Sequence, residues 1–251
     1  MGIDPSLTRT GYSVSTVTLD ESGQSTVFEW KEIGSVKPEV SSNPVWVRGK
    51  ALALYLKDVM RKYREQPKYC EQGPTGLIIS MEYPTPRNDF LVALNRILHL
   101  VFFEDGQFAE NFNPIRVLTT NAATLRSLMN LKKTGNNKGE NISRAYEFID
   151  RGIYPNLDSD SCDAVLLSMM ARHTASILLG VPQEVPERVL TSLCNATQEA
   201  KKRGDMIVKI QTKGSLHRPE YWYTYETNNY TVCIRDACGQ KGKLERKIFN
   251  I

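Results

Sequence analysis

Four carboxylates stand where secondary-structure elements should begin or end. Asp4 follows a short apolar start in GIDPSLTRTGY, and Pro5 beside it has no N–H to continue a sheet ladder. Glu82 closes the apolar run Leu77-Ile78-Ile79-Ser80-Met81. A charge there has no structural reason unless it points out of the sheet edge or binds something. Asp160 and Asp163 lie three apart at the start of a helical stretch, which puts both on one face. Each has an ordinary alternative: Asp4 can cap its turn, and the Asp160–Asp163 pair can cap a helix and complement its dipole. If all four meet at one sheet edge, they cannot all stay ionised without cations. Oxygen ligands that leave room for retained waters suit Mg²⁺, with Mn²⁺ as its substitute. Two such ions about 3.5–4 Å apart would orient a water and stabilise both the attacking and leaving oxygens of a phosphodiester.

The elements that must position these groups can be read from periodicity. Gly2–Asp4 ends a strand, and Thr10–Leu19 is β-branched and alternating, so a hairpin is expected, with Thr26–Ile33 as a third strand. A polar loop follows from Gly34 to Asn43. Pro44 opens a helix whose stripe is Val47, Ala51, Leu54, Tyr55, Val59 and Tyr63. Leu77–Glu82 reads as a buried central strand. A helix from Asn88 or Asp89 carries Leu91, Leu94, Ile97, Leu98, Val101 and Phe102. Ile115–Leu118 is a further strand, and Asn121 caps a helix over Ala122–Met129. Leu131–Glu140 is a glycine-punctuated polar loop and Ser143–Arg151 a short helix. Ser159 or Asp160 opens a long helix that Gly180 and Pro182 end. The order gives an α/β protein: a mixed five-stranded sheet, hairpin first, flanked by helices on both faces.

Composition sets bounds on this picture. The chain has 251 residues, 41% hydrophobic and 24% charged, enough for one medium domain with a full core and an appendage. It has no run of eighteen apolar residues and no signal-peptide profile, so no membrane partner is expected. Cys70, Cys162, Cys194, Cys233 and Cys238 are odd in number and form no CxxC pair, which favours a reduced, intracellular setting. The formal charge is +4, and residues 181–251, with 12 Lys and Arg against 8 Asp and Glu, hold all of the excess. An anionic partner or a solvated basic surface would each account for it.

With these motifs in place, the chain resembles the RuvC family of Holliday-junction resolvases, within the RNase H-like superfold. GIDPSLTRTGY is similar to that family's first motif, and IISMEYP to its strand ending in a catalytic Glu. KKTGNNKGENISRAYEF is similar to its glycine- and lysine-bearing loop before a helix, and DSDSCDAVLLSMMARH to its closing D-x-x-D-A helix. The motifs occur in order across residues 1–179. The resemblance implies that Asp4, Glu82, Asp160 and Asp163 form a metal-binding catalytic set acting on branched DNA, above all four-way junctions. It also implies a cytoplasmic homodimer paired through the helix after Glu82, with no organic cofactor. The chain departs from the pattern in its short first strand and in Asn141, which stands near the place of a frequent lysine.

Other residues read as contacts to nucleic acid. Lys132, Lys133 and Lys138 on the glycine-rich loop are placed to neutralise phosphates, and Arg87 and Arg96, which flank the helix after Glu82, could face the backbone too. Tyr83 and Phe90 could stack on an unpaired base. The nuclease domain is expected over residues 1–183. Residues 184–251 read as a helix (Val189–Lys202) and antiparallel strands, with Arg218 and Tyr221-Trp222-Tyr223-Thr224-Tyr225 pairing charge with aromatic faces. Truncation after Gly180 is expected to leave a folded core, unless Val185, Val189, Leu190 and Leu193 dock on it. Other RNase H-like nucleases, such as a transposase or packaging nuclease, are competing readings. So is a phosphotransferase of the actin and sugar-kinase superfold, whose first phosphate loop also reads G-[IL]-D-x-[GS]-x-T, although this chain offers no good second loop.

Overall fold

A computed structural model describes residues 1–6, 8–37, 43–64, 76–82, 89–104, 115–131, 138–193, 207–210, 221–226, 230–236 and 244–250. It is an α/β protein. Strands β1 (Gly2–Asp4), β2 (Thr10–Leu19), β3 (Thr26–Val36), β4 (Leu77–Glu82), β5 (Ile115–Thr120) and β6 (Ile207–Ile210) form one sheet in the order β3-β2-β1-β4-β5-β6. β2 pairs antiparallel with β1 and β3, and the remaining pairs are parallel. Helices α1 (Val45–Arg64), α2 (Asp89–Glu104), α3 (Ala122–Leu128), α4 (Lys138–Ala145) and α5 (Ser159–Leu178) complete the layers. A separate three-stranded antiparallel sheet contains β7 (Tyr221–Glu226), β8 (Tyr230–Asp236) and β9 (Leu244–Asn250). Among the described residues, no helix is long and apolar enough to cross a membrane.

Strand alternation divides the core in two. Ile3, Ile79, Met81 and Val117 project to one face, where they meet Leu52, Leu56 and Met60 of α1 and Leu94 and Leu98 of α2. Ile78 and Leu118 project to the other and pack with Leu125 and Leu128 of α3, Ala145 of α4, and Val165, Leu166 and Met169 of α5. α5 is apolar nearly all round, as a helix laid across a sheet and flanked by two others must be.

Two glycines decide how closely α5 can lie. A Cβ on Gly2 would fall 2.0 Å from the Ala164 carbonyl oxygen, and one on Gly11 would fall 1.9 Å from that of Asp160. No side chain fits either place, so helix backbone rests on strand backbone. Ser13 fastens the contact, its Oγ donating to the Ala164 carbonyl at 2.8 Å and lying 2.7 Å from Ser168 Oγ. On the opposite face Glu32 ties α1 to the hairpin. Its carboxylate accepts from Tyr12 at 2.7 Å, Tyr63 at 2.6 Å and Lys62 at 2.8 Å.

Four expectations change. The sheet has six strands among the described residues, because β6 from the C-terminal segment adds to the outer side of β5. β3 runs on to Val36, where a loop was expected from Gly34, since Gly34-Ser35-Val36 stay in register with Thr10-Gly11-Tyr12. The helix expected over Ser143–Arg151 lies instead at Lys138–Ala145, with turns after it. Ile142 and Ala145 pack into the core, and Glu140 pairs with Arg126 at 3.1 Å; these contacts outweigh the weak helix propensity of Gly139. Finally, the boundary after residue 183 cuts through packed structure. Val185, Val189 and Leu193 are buried in the same core cluster as α5. Thr26 donates to Glu184 from its backbone and hydroxyl, and Arg188 donates to Ser127. Residues 181–193 are part of the core.

Candidate functional site

The register of the sheet places the carboxylates. Gly2 pairs with Ser80 and Ile3 with Met81, so Asp4 and Glu82 end adjacent parallel strands on the same face. That face is the one α5 covers, because Gly2 sits beneath Ala164 and Ser168. Gly11, the partner of Asp4 across β1 and β2, sits beneath Asp160. The first turn of α5 therefore lands over the strand ends and brings Asp160 and Asp163 to Asp4 and Glu82. All four side chains are half-buried.

Their electrostatics record this proximity. The Asp4 carboxyl is held well above the usual range, first by burial and then by the charges of Glu82, Asp163 and Asp160. It is also hydrogen-bonded to Glu82. Glu82 is pushed up to about 7 by burial and by Asp163, while the hydrogen bond from Asp4 pulls the other way. Burial and mutual repulsion thus raise both carboxyls of the pair. Asp163 is raised by burial and by Asp160, and is eased back by Asn141 and the positive charges of Lys138 and Arg126.

Helix α4 supplies Asn141 and Lys138, while Arg126 comes from α3. Lys138 and Asn141 are three apart and so share a face. Asn141 Nδ2 donates to Asp163 Oδ1 at 2.7 Å, and Lys138 Nζ reaches Ser159 Oγ at 3.4 Å. Lys138, expected on a loop, stands in the first helical turn beside the acidic group, with its side chain exposed. Asp158 is the actual cap of α5. It accepts from the Ser161 backbone at 2.8 Å, from Ser35 Oγ at 2.6 Å and from Arg9 at 3.1 Å. Burial would raise its carboxyl, but these donors hold it below the usual range. Asp160 and Asp163 are thereby spared the capping role that sequence alone left open to them.

The other expected contacts are less fully placed. Arg96 is exposed on α2. Phe90 lies in α2, but its side chain falls outside the described residues, as do Tyr83, Arg87, Lys132 and Lys133. Tyr221–Tyr225 belong to β7, again without described side chains, and Arg218 lies outside the described residues. Arg9, Asp158, Asn141 and Thr120 border the site, though sequence reasoning gave none of them a place in it. Arg9 and Asp158 have a sequence signal, since both lie inside the motifs that carry the outer carboxylates.

Among the described residues, no three His, Cys, Asp or Glu side chains form a ready-made metal cage. The donor chemistry nonetheless suits a hard divalent cation. Four oxygen acids share one edge, and burial with mutual repulsion raises Asp4 and Glu82, a cost that a bound cation would relieve. The buried hydroxyl of Thr120, beside Glu82 in the β4–β5 register, has no hydrogen-bond partner among the described residues. A hydrated ion would satisfy both features.

The glycine seat makes a direct prediction. Gly11→Ala should force the first turn of α5 off the sheet and lower stability by roughly 1–3 kcal/mol, read as a fall in melting temperature. A variant that melts with the wild type would show that the helix is free to rise.

No protein-family model, curated protein or solved structure matches the chain.

Proposed function

We propose that this protein is a divalent-cation-dependent DNA endonuclease of RNase H-like fold that cuts branched DNA, four-way junctions foremost. The observation that carries the reading is the meeting of Asp4, Glu82, Asp160 and Asp163 at one sheet edge, with Lys138 beside them. Bound Mg²⁺ would supply Lewis-acid stabilisation of the phosphoryl oxygens and a more acidic attacking water. The protein's part is to hold the acids in place. Asp4 and Glu82 are fixed by strand register, Asp160 and Asp163 by the seating of α5, and Asp163 again by Asn141. Lys138, with its amine exposed next to the cluster, offers a counter-charge for a backbone phosphate. Pairing of two copies through α2 would match the two-fold symmetry of a junction.

The test is cleavage of four-way junction, flap and plain duplex DNA with Mg²⁺, Mn²⁺, Ca²⁺ or chelator. Junctions should be cut preferentially with Mg²⁺ or Mn²⁺. Ca²⁺ should support binding without cutting, because its longer, looser coordination does not position the attacking water. Equal cutting of plain duplex would remove the preference for branches. No cutting of any DNA with either active metal would remove the nuclease reading altogether.

A further inference from the structure

Thr120 ends β5 directly opposite Glu82 in the parallel β4–β5 pair. Register partners project to the same face of a sheet, so the Thr120 side chain shares the α5 side with Glu82 and Asp4. Leu118, two residues earlier on the same strand, packs in the α5 cluster and fixes that assignment. Thr120 is 0% exposed, and among the described residues its Oγ1 has no hydrogen-bond partner. An unpaired buried hydroxyl carries an uncompensated desolvation cost, whereas valine has the same shape and no such penalty. Strand formation does not call for the hydroxyl either, since valine suits a strand equally well.

A second unpaired oxygen borders the same acids from another element. Asn141 donates to Asp163 through Nδ2, while its Oδ1 is buried without a partner among the described residues. Ser80 Oγ is also unpartnered, but it lies opposite Gly2 beneath the body of α5, away from the edge. Thr120 is the fully buried one of the two at the edge, and it is the register neighbour of a carboxylate. Mg²⁺ and Mn²⁺ sites built on few carboxylates keep several waters, and each water needs an oxygen to which it can hydrogen-bond.

We propose that Thr120 belongs to the cation site, its hydroxyl serving as the hydrogen-bond partner of water retained by the ion beside Glu82. This rests on the reading that the four carboxylates bind a divalent cation, and the experiment separates the two claims. Mn²⁺ binding to the full-length, DNA-free protein is measured by titration calorimetry for wild type, Thr120→Val, Thr120→Ser and Asp4→Asn, alongside metal-free melting. Thr120→Val should weaken Mn²⁺ binding about 10–100-fold, with an unchanged or higher metal-free melting temperature. Thr120→Ser should bind as wild type. Wild-type affinity in Thr120→Val would overturn the assignment. So would equal weakening in Thr120→Ser, which would trace the loss to shape, or a lowered metal-free melt in Thr120→Val, which would mean the hydroxyl has a partner within the protein. If wild type binds no Mn²⁺, or Asp4→Asn binds it undiminished, the carboxylate site itself is refuted and the Thr120 assignment falls with it.

Discussion

Asp4→Asn and Glu82→Gln should each lower Mg²⁺-dependent cleavage by at least about a thousandfold, the scale set by loss of an electrostatic group from a preorganised site, yet give metal-free proteins more stable than wild type. Both effects have one origin. The carboxylates are held closer than the positive charges of Lys138 and Arg126 offset, and the neutral analogues remove repulsion as well as ligands. The pH dependence follows in sign. Glu82 has its folded-state pKa raised from 4.5 to about 7, so between those values the folded state binds more protons than the unfolded one. Its contribution to stability is complete below about pH 4.5 and is lost as pH rises through 7. The advantage of Glu82→Gln should thus be near zero at low pH and grow to about 3 kcal/mol above neutrality. Denaturant unfolding of both metal-free proteins across that range measures it. A difference that does not vary with pH would mean that Glu82 is already unperturbed in the folded protein. Asp160→Asn and Asp163→Asn should lose cleavage likewise, and wild-type rates in any two of the four would sink the assignment.

Truncation after Gly180 should leave a chain that does not fold. The cut removes Val181, Val185, Val189 and Leu193, all buried, and with them the Glu184 contacts to the β2–β3 hairpin and the Arg188 contact to α3. Full burial of one such side chain contributes about 1.5–3 kcal/mol, so four approach the whole stability of a typical domain, about 5–15 kcal/mol. The expected result is an insoluble product or one with no cooperative melt. A chain ending after residue 193 restores the buried valines and leucine, and should recover part of that loss. A cooperative melt near the full-length value for the chain ending at Gly180 would show that residues 181–193 rest on the core without supporting it.

Much of the site could be read from the chain because its acids occupy element ends. Asp4 before Pro5, Glu82 closing an apolar run, and a D-x-x-D pair opening a helix are local signals; strand register sets Asp4 beside Glu82, and the seating of α5 brings the pair to them. What escaped notice was decided by contacts between distant segments. Gly139 reads as a loop residue, and only the packing of Ile142 and Ala145 makes its surroundings helical. In DSDSCD several side chains can cap; the donors that settle on Asp158, Arg9 and Ser35, come from more than a hundred residues away. The stripe Val185, Val189, Leu193 was visible, but a stripe does not name the surface it covers. The unpaired state of Thr120 belongs to its neighbours and has no sequence signature.

The seating of α5 on Gly2 and Gly11 has a consequence for tolerance. The distance between the two halves of the acidic group is fixed by main chain touching main chain, a hard stop that no side chain adjusts. Exchanges among Leu166, Leu167, Met169 and Met170 alter how well the interior is filled, but they cannot bring the helix nearer the strands than the glycines already allow. The filling of the interior and the spacing of the site are therefore set by separate parts of the molecule. The interior is free to drift in size and shape while the acids keep their separation, and two hydrogen-only side chains act as the gauge.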